Sequence, residues 1–199
     1  MKGKKIVKIV ATALILTVII VIAGVGFVFF DVMSCTATSS VTLSPAGQSV
    51  GHALVVYDPG VWGAAKNAAG KIASDLQSKG YLVELAGVRS SKAGNTSGYD
   101  VIVVVGPTYG DRFGSVARSY LQNLNVSSET KIGVVATGII WPQNNNTLDL
   151  VKNLTGLPDG PHCQVKTALK LVTDFFGNNA DKTESMDDKC SGFVASLLQ

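Results

Sequence analysis

From Ile9 to Phe30 the chain carries no charge, and 18 of these 22 residues are hydrophobic, interrupted only by Thr12, Thr17, Gly24 and Gly26. At ~1.5 Å per residue a helix of that length rises roughly 33 Å, the thickness of a bilayer's hydrocarbon core. A cleaved secretory signal has an apolar region of only ~7–15 residues, so the length favours an uncleaved transmembrane helix over residues 9–30. Lys2, Lys4, Lys5 and Lys8 all precede the helix, and no other basic residue occurs before Lys66. The positive-inside rule then assigns residues 1–8 to the cytoplasm and the rest of the chain to the far side of a cell membrane, as a single-pass protein.

The junction after the helix leaves two rival readings open. Val32-Met33-Ser34-Cys35 is similar to a lipoprotein cleavage box, which makes Cys35 a candidate for lipidation. Cys35-Thr36-Ala37 is a small-x-small triplet of the kind a signal peptidase accepts. All three readings place the remainder outside the cytoplasm. Four N-glycosylation sequons begin at Asn95, Asn125, Asn145 and Asn153, all beyond the apolar segment. In an oxidising compartment Cys163 and Cys190 are candidates for a disulfide, worth about 3–4 kcal/mol by chain entropy; the alternative is a pair of buried thiols.

Charge removes one class of partner. Setting aside the four leading lysines leaves 13 basic residues against 14 acidic ones, so the outer part has no basic surplus and nucleic acid is not expected to bind. The two histidines, His52 and His162, form no recognisable triad or metal cluster with the remaining residues.

Residues 31–50 are rich in Ser, Thr, Ala and Gly and read as a linker. Residues 51–199 then alternate between two periodicities. Ala53–Tyr57 is a continuous apolar run of the kind buried on both faces of a sheet, and it ends at Asp58-Pro59-Gly60. Gly63–Lys79 places Ala65, Ala68, Ala69, Ile72, Ala73 and Leu76 on one helical face, and Gly80 closes it. Further strands are expected over Tyr81–Ala86, Val101–Val105, Ile132–Ala136 and Thr167–Val172. Helices are expected over Ser115–Leu124, Leu148–Leu154 and Lys189–Leu198, whereas 87–99 has no helical pattern. Strands alternating with helices imply an α/β protein: a three-layer, doubly wound, five-stranded parallel sheet in the order 2-1-3-4-5.

In such a sheet the ligand site lies where the loops after the first, third and fourth strands converge. The first loop, Asp58-Pro59-Gly60-Val61-Trp62-Gly63-Ala64-Ala65-Lys66, runs into a helix N-terminus, whose N–H groups and dipole favour an anion such as phosphate. Trp62, Tyr109 and, beyond Gly138, Trp141 are aromatic side chains suited to flank a planar ring; they serve equally as loop packing.

The domain resembles the flavodoxin family. The resemblance rests on Leu54–Tyr57, on the spacing of Ala65, Ala69 and Ile72, and on Tyr99-Asp100-Val101-Ile102-Val103-Val104-Val105-Gly106-Pro107-Thr108-Tyr109-Gly110, close to the family's YDxIIxGxPTYxG segment. It covers roughly residues 52–140 by motif and 141–199 by topology. It implies bound flavin mononucleotide (FMN), with its phosphate on the first loop and its ring between the loops carrying Pro107, Thr108, Tyr109 and Gly110 and Gly138 and Trp141. It further implies electron transfer to or from a redox partner protein. One departure stands out: from 58 to 66 there is no hydroxyl side chain, where the family uses several on the phosphate. Three functions therefore stay open: a membrane-anchored electron carrier with FMN, a cofactor-free binding or structural module, and an FMN-dependent reductase of a small substrate.

Overall fold

The computed structural model describes residues 2–109, 112–139, 165–174, 177–181 and 183–199. Its first element is the helix α1, Lys2–Val32, which includes the whole apolar run. From Lys4 to Val32 it is long and apolar enough to cross a membrane, and none of its most apolar stretch is buried against the rest of the chain.

The strands follow the apolar runs. They are β1 (Ser40–Leu43), β2 (Gly51–Tyr57), β3 (Tyr81–Gly87), β4 (Val101–Tyr109), β5 (Arg112–Phe113), β6 (Lys131–Gly138) and β7 (Val165–Val172). The helices between and after them are α2 (Ala64–Ser78), α3 (Ser115–Gln122) and α4 (Met186–Leu198). The sheet runs β1-β3-β2-β4-β6-β7, with β5 folded back on the end of β4. β3, β2, β4, β6 and β7 pair in parallel, giving the expected order 2-1-3-4-5. The expected helix over Leu148–Leu154 lies outside the described residues.

Strand alternation divides the core into two layers. Val55, Tyr57, Val101, Val103, Val105 and Val135 point toward α2 and α4, where they meet Ala65, Ala69, Ile72, Leu76, Phe193 and Leu197. Leu54, Val56, Ile102, Val104, Ile132 and Val134 point the other way, toward Phe113, Ala117 and Leu121. Among the described residues that second face carries the short α3. Residues 88–100 form turns beside it, held by the Tyr120 hydroxyl, which donates to the Ala93 carbonyl at 2.7 Å.

The segment read as a linker is partly built into the domain. β1 pairs antiparallel with β3, from Ser40 opposite Ala86 to Leu43 opposite Val83. Ahead of it Asp31, Ser34 and Ala37 are buried. The Arg89 and Gly87 amides donate to the carbonyls of Ala37 and Ser39 at 2.9 and 2.8 Å. A four-residue edge strand with an exposed face leaves little hydrophobic pattern, so composition reads it as a tether.

Candidate functional site

The C-terminal ends of β2, β4, β6 and β7 meet around a cleft of about 300 Å³. Of the residues expected there, Pro59, Gly60, Trp62 and Ala64 from the first loop line it together with Pro107, Thr108, Tyr109 and Gly138. Val61, Thr137, Ile139, Thr173, Asp174 and Gly177 also line it, and sequence reasoning did not single them out. Thr137 and Ile139 follow from extending the fourth parallel strand to its end. The turn after β7 had a signal in Asp174 and Gly177: the Gly177 amide donates to the Asp174 carbonyl at 3.1 Å, and the Asp174 carboxylate accepts from the Asn178 amide at 2.8 Å.

The first loop takes its shape from two glycines. Gly60 and Gly63 have φ of +65° and +70°, the left-handed region that L side chains resist. A Cβ on Gly60 would also sit 2.9 Å from the Pro107 Cβ. Gly63 is the N-cap of α2 and supplies no side-chain cap to the first-turn amides. Trp62 is 49% exposed and Tyr109 43%, so both present aromatic surface at the mouth. The Val61 amide donates to the Tyr109 hydroxyl, tying this loop to the end of β4. Burial and the nearby carboxyls of Asp58 and Asp31 push that hydroxyl up to about 12, so it stays protonated at neutral pH.

Other expected site residues fall elsewhere. Asp58 is 2% exposed and lies beneath the loop. Its carboxylate accepts from the Ser34 hydroxyl at 2.5 Å and from the Gly60 and Ala117 amides, the last in the first turn of α3. Burial raises its pKa above the ordinary value, these bonds oppose the shift, and Asp31 adds to it. Ala65 is fully buried in the core and reaches neither the cleft nor the hollow beside it. Gly63 and Lys66 border a neighbouring hollow on the other side of the loop. Gly110, Trp141 and Cys163 lie outside the described residues. Cys190 is buried and carries no disulfide among the described residues, and burial together with Asp75 pushes its thiol up to about 12. Cys35 is a partly exposed free thiol.

Chemically the cleft is mostly apolar, with the aromatic side chains of Trp62 and Tyr109 and, from the start of α2, Ala64 in its lining. The hydroxyl of Thr108 is already committed to the Thr137 carbonyl at 3.1 Å. Among the described residues no group of three or more His, Cys, Asp or Glu side chains is placed to hold a metal. The slot therefore fits a flat heterocycle well. The loop over residues 58–66 brings no hydroxyl side chain to it; the hydroxyl residues in its lining are Thr108, Tyr109, Thr137 and Thr173, from the other strands.

No family model and no curated protein matches the chain. Solved structures do match. The flavodoxin of Streptococcus pneumoniae TIGR4 is 18% identical with a TM-score of 0.51, over 74% of this chain and 97% of that one. A metal-soaked Flv1 flavodiiron core from Synechocystis sp. PCC6803 is 16% identical with a TM-score of 0.50, over 76% of this chain and 37% of that one. At such identities the likeness is one of architecture, and it agrees with the strand order and with the cleft at the strand ends: the chain has a flavodoxin-like fold behind one N-terminal apolar helix.

Proposed function

We propose that the protein binds FMN in this cleft and passes electrons to or from a partner while anchored to a membrane by α1. One observation carries the reading. In a flavodoxin-like sheet, the cleft at the strand ends is mostly apolar and is lined by Trp62, Tyr109 and Ala64, the first residue of α2. Trp62 and Tyr109 would flank the ring. The amides at the start of α2 would hold the phosphate, with Lys66 supplying a countercharge from beside the loop. When bound, the flavin supplies the redox chemistry; the protein supplies orientation, exclusion of water and the electrostatic setting. N-terminus-in topology and an extracytoplasmic domain belong to the same proposal, through the four lysines before the apolar run.

The missing hydroxyls set the expected affinity. Each lost charge-assisted hydrogen bond to the phosphate weakens binding by about 1.5–3 kcal/mol. Two such losses move a nanomolar site to roughly micromolar. The test is a titration of FMN against the full chain in detergent, followed by flavin fluorescence. Saturable quenching at one flavin per chain, weakened by Tyr109→Ala or Trp62→Ala, supports the reading. Unchanged fluorescence at high micromolar chain removes it. The hydroxyl-free loop over 58–66, with buried Asp58 beneath, specifically favours a second reading, a cofactor-free binding module, and that result would leave it standing.

A further inference from the structure

We infer that α1 seats the loop Pro59–Lys66 among the lipid headgroups, so that the cleft opens at the bilayer surface and its ligand or partner arrives along the membrane. The inference rests on the proposal that α1 spans a membrane; it does not depend on the identity of the ligand.

Three observations fix the depth. First, the end of α1 is docked on the domain. Beyond its last turn the Ser34 hydroxyl bonds Asp58 directly beneath the loop, the Thr36 hydroxyl donates to Asp31 at 2.8 Å, and Arg89 Nη2 donates to the Met33 carbonyl at 3.2 Å. Ser34 and Ala37 are buried, so this junction has no slack. Second, the docking is at the C-terminal end of the parallel strands, the end that holds the cleft, because Asp58 directly follows β2. Third, Phe27 borders the same hollow as Val61, Gly63 and Lys66. Phe27 precedes the end of the apolar run by three residues, or about 4.5 Å along the helix axis. A loop level with Phe27 is therefore at or just inside the boundary between headgroups and acyl chains.

The surface there has the chemistry of that boundary. Across the loop from the hollow that Phe27 borders, Trp62, Tyr109 and Ile139 line the cleft and are 49, 43 and 51% exposed, so the loop carries aromatic and apolar surface on its cleft side. Lys66 and Arg89 are exposed cations beside the helix exit, placed for lipid phosphates. Tryptophan and tyrosine favour this depth because the ring enters the apolar layer while its polar group stays hydrated. Asp31 and Asp58, which would repel anionic headgroups, are buried and hydrogen-bonded.

The test uses the full chain in phosphatidylcholine–phosphatidylglycerol vesicles. The chain has two tryptophans, so Trp141→Phe leaves Trp62 as the sole reporter. Lipids brominated near the headgroup should quench its emission by roughly half, and lipids brominated near the chain end should quench it much less. The wild-type chain should show the same depth preference at smaller amplitude, which guards against a folding defect in the variant. A Gly/Ser spacer of about 12 residues between Val32 and Met33 should abolish the quenching while the chain still floats with vesicles. A chain that floats with Trp62 unquenched and open to iodide overturns this inference alone. Quenching that survives the spacer overturns the role given to α1. A chain that does not float at all overturns the membrane anchor and this inference together.

Discussion

The Ser34 hydroxyl donates to Oδ1 of Asp58 at 2.5 Å, joining the end of the apolar helix to the end of β2 beneath the cleft loop. The same carboxylate accepts the Gly60 amide from the loop and the Ala117 amide from the first turn of α3. One buried acid thus holds three segments together. Asp58→Ala strands three donors in a dry site and is expected to cost about 3–5 kcal/mol, whereas Ser34→Ala removes one donor and costs about 1–2 kcal/mol. Urea unfolding of both variants checks the ratio. Equal, small losses would mean that Asp58 is hydrated and does not organise the loop.

Because burial raises the Asp58 carboxyl above its ordinary value, the folded chain binds more protons than the unfolded one between the two pKa values. Stability contributed at this site is therefore highest below the unfolded pKa and falls as pH rises through the folded pKa. Asp58→Asn removes the titration. Relative to that variant, the wild-type urea midpoint should drop as pH is raised from about 4 toward neutrality. A difference that is flat or opposite in sign over this range would show that the hydrogen bonds from Ser34, Gly60 and Ala117 outweigh burial.

Most of the sheet was legible from the sequence because its signal is strong. Val101–Val105 and Ala53–Tyr57 are apolar on both faces, as only a covered strand is, and the alanines of α2 recur at helical spacing. The cleft was legible to the extent that strand ends predict it, which brought Pro59, Gly60, Trp62, Pro107 and Tyr109 together. Asp58 shows the limit. Its sequence position matches a ligand contact, and only the packing of Ser34 and α3 over it reveals a buried structural role. β1 was illegible for a related reason. Ser40-Val41-Thr42-Leu43 is stabilised by its pairing with β3 rather than by its own pattern.

The same distinction decides which residue of the loop tests FMN binding. The resemblance to flavodoxins aligns both Ala64 and Ala65 with hydroxyl positions of the phosphate loop, but Ala64 lines the cleft and Ala65 is fully buried among core side chains. Ala64→Thr should tighten FMN by roughly tenfold, one hydrogen bond to a charged group. Ala65→Thr buries an unpaired hydroxyl and should lower stability by about 1–3 kcal/mol without a gain in affinity. Titration and urea unfolding of the pair separate the effects. Tightening by Ala65→Thr alone would reverse the assignment of the two positions.

The domain is expected to need residues 34–50. In a chain beginning at Gly51, β3 becomes an edge along the positions that β1 occupies, Val83 to Ala86. Exposed edges of this kind pair with other chains. That chain also loses the Ser34 bond to Asp58 and the Thr42 hydroxyl that donates to Glu84, and it uncovers the core contacts of Ala37. Glu84 is itself buried, with Oε2 unpartnered among the described residues, so its strand tolerates this loss poorly. Comparison with a chain beginning at Ser34, which keeps β1 and omits the apolar helix, isolates the contribution. The longer chain should be more stable by about 3–5 kcal/mol, from two hydrogen bonds to carboxylates, one buried alanine and a short ladder. It should elute as a monomer at concentrations where the shorter one associates. Equal urea midpoints and equal elution for the two would show that residues 34–50 are a tether after all, and would cut the link between α1 and the cleft.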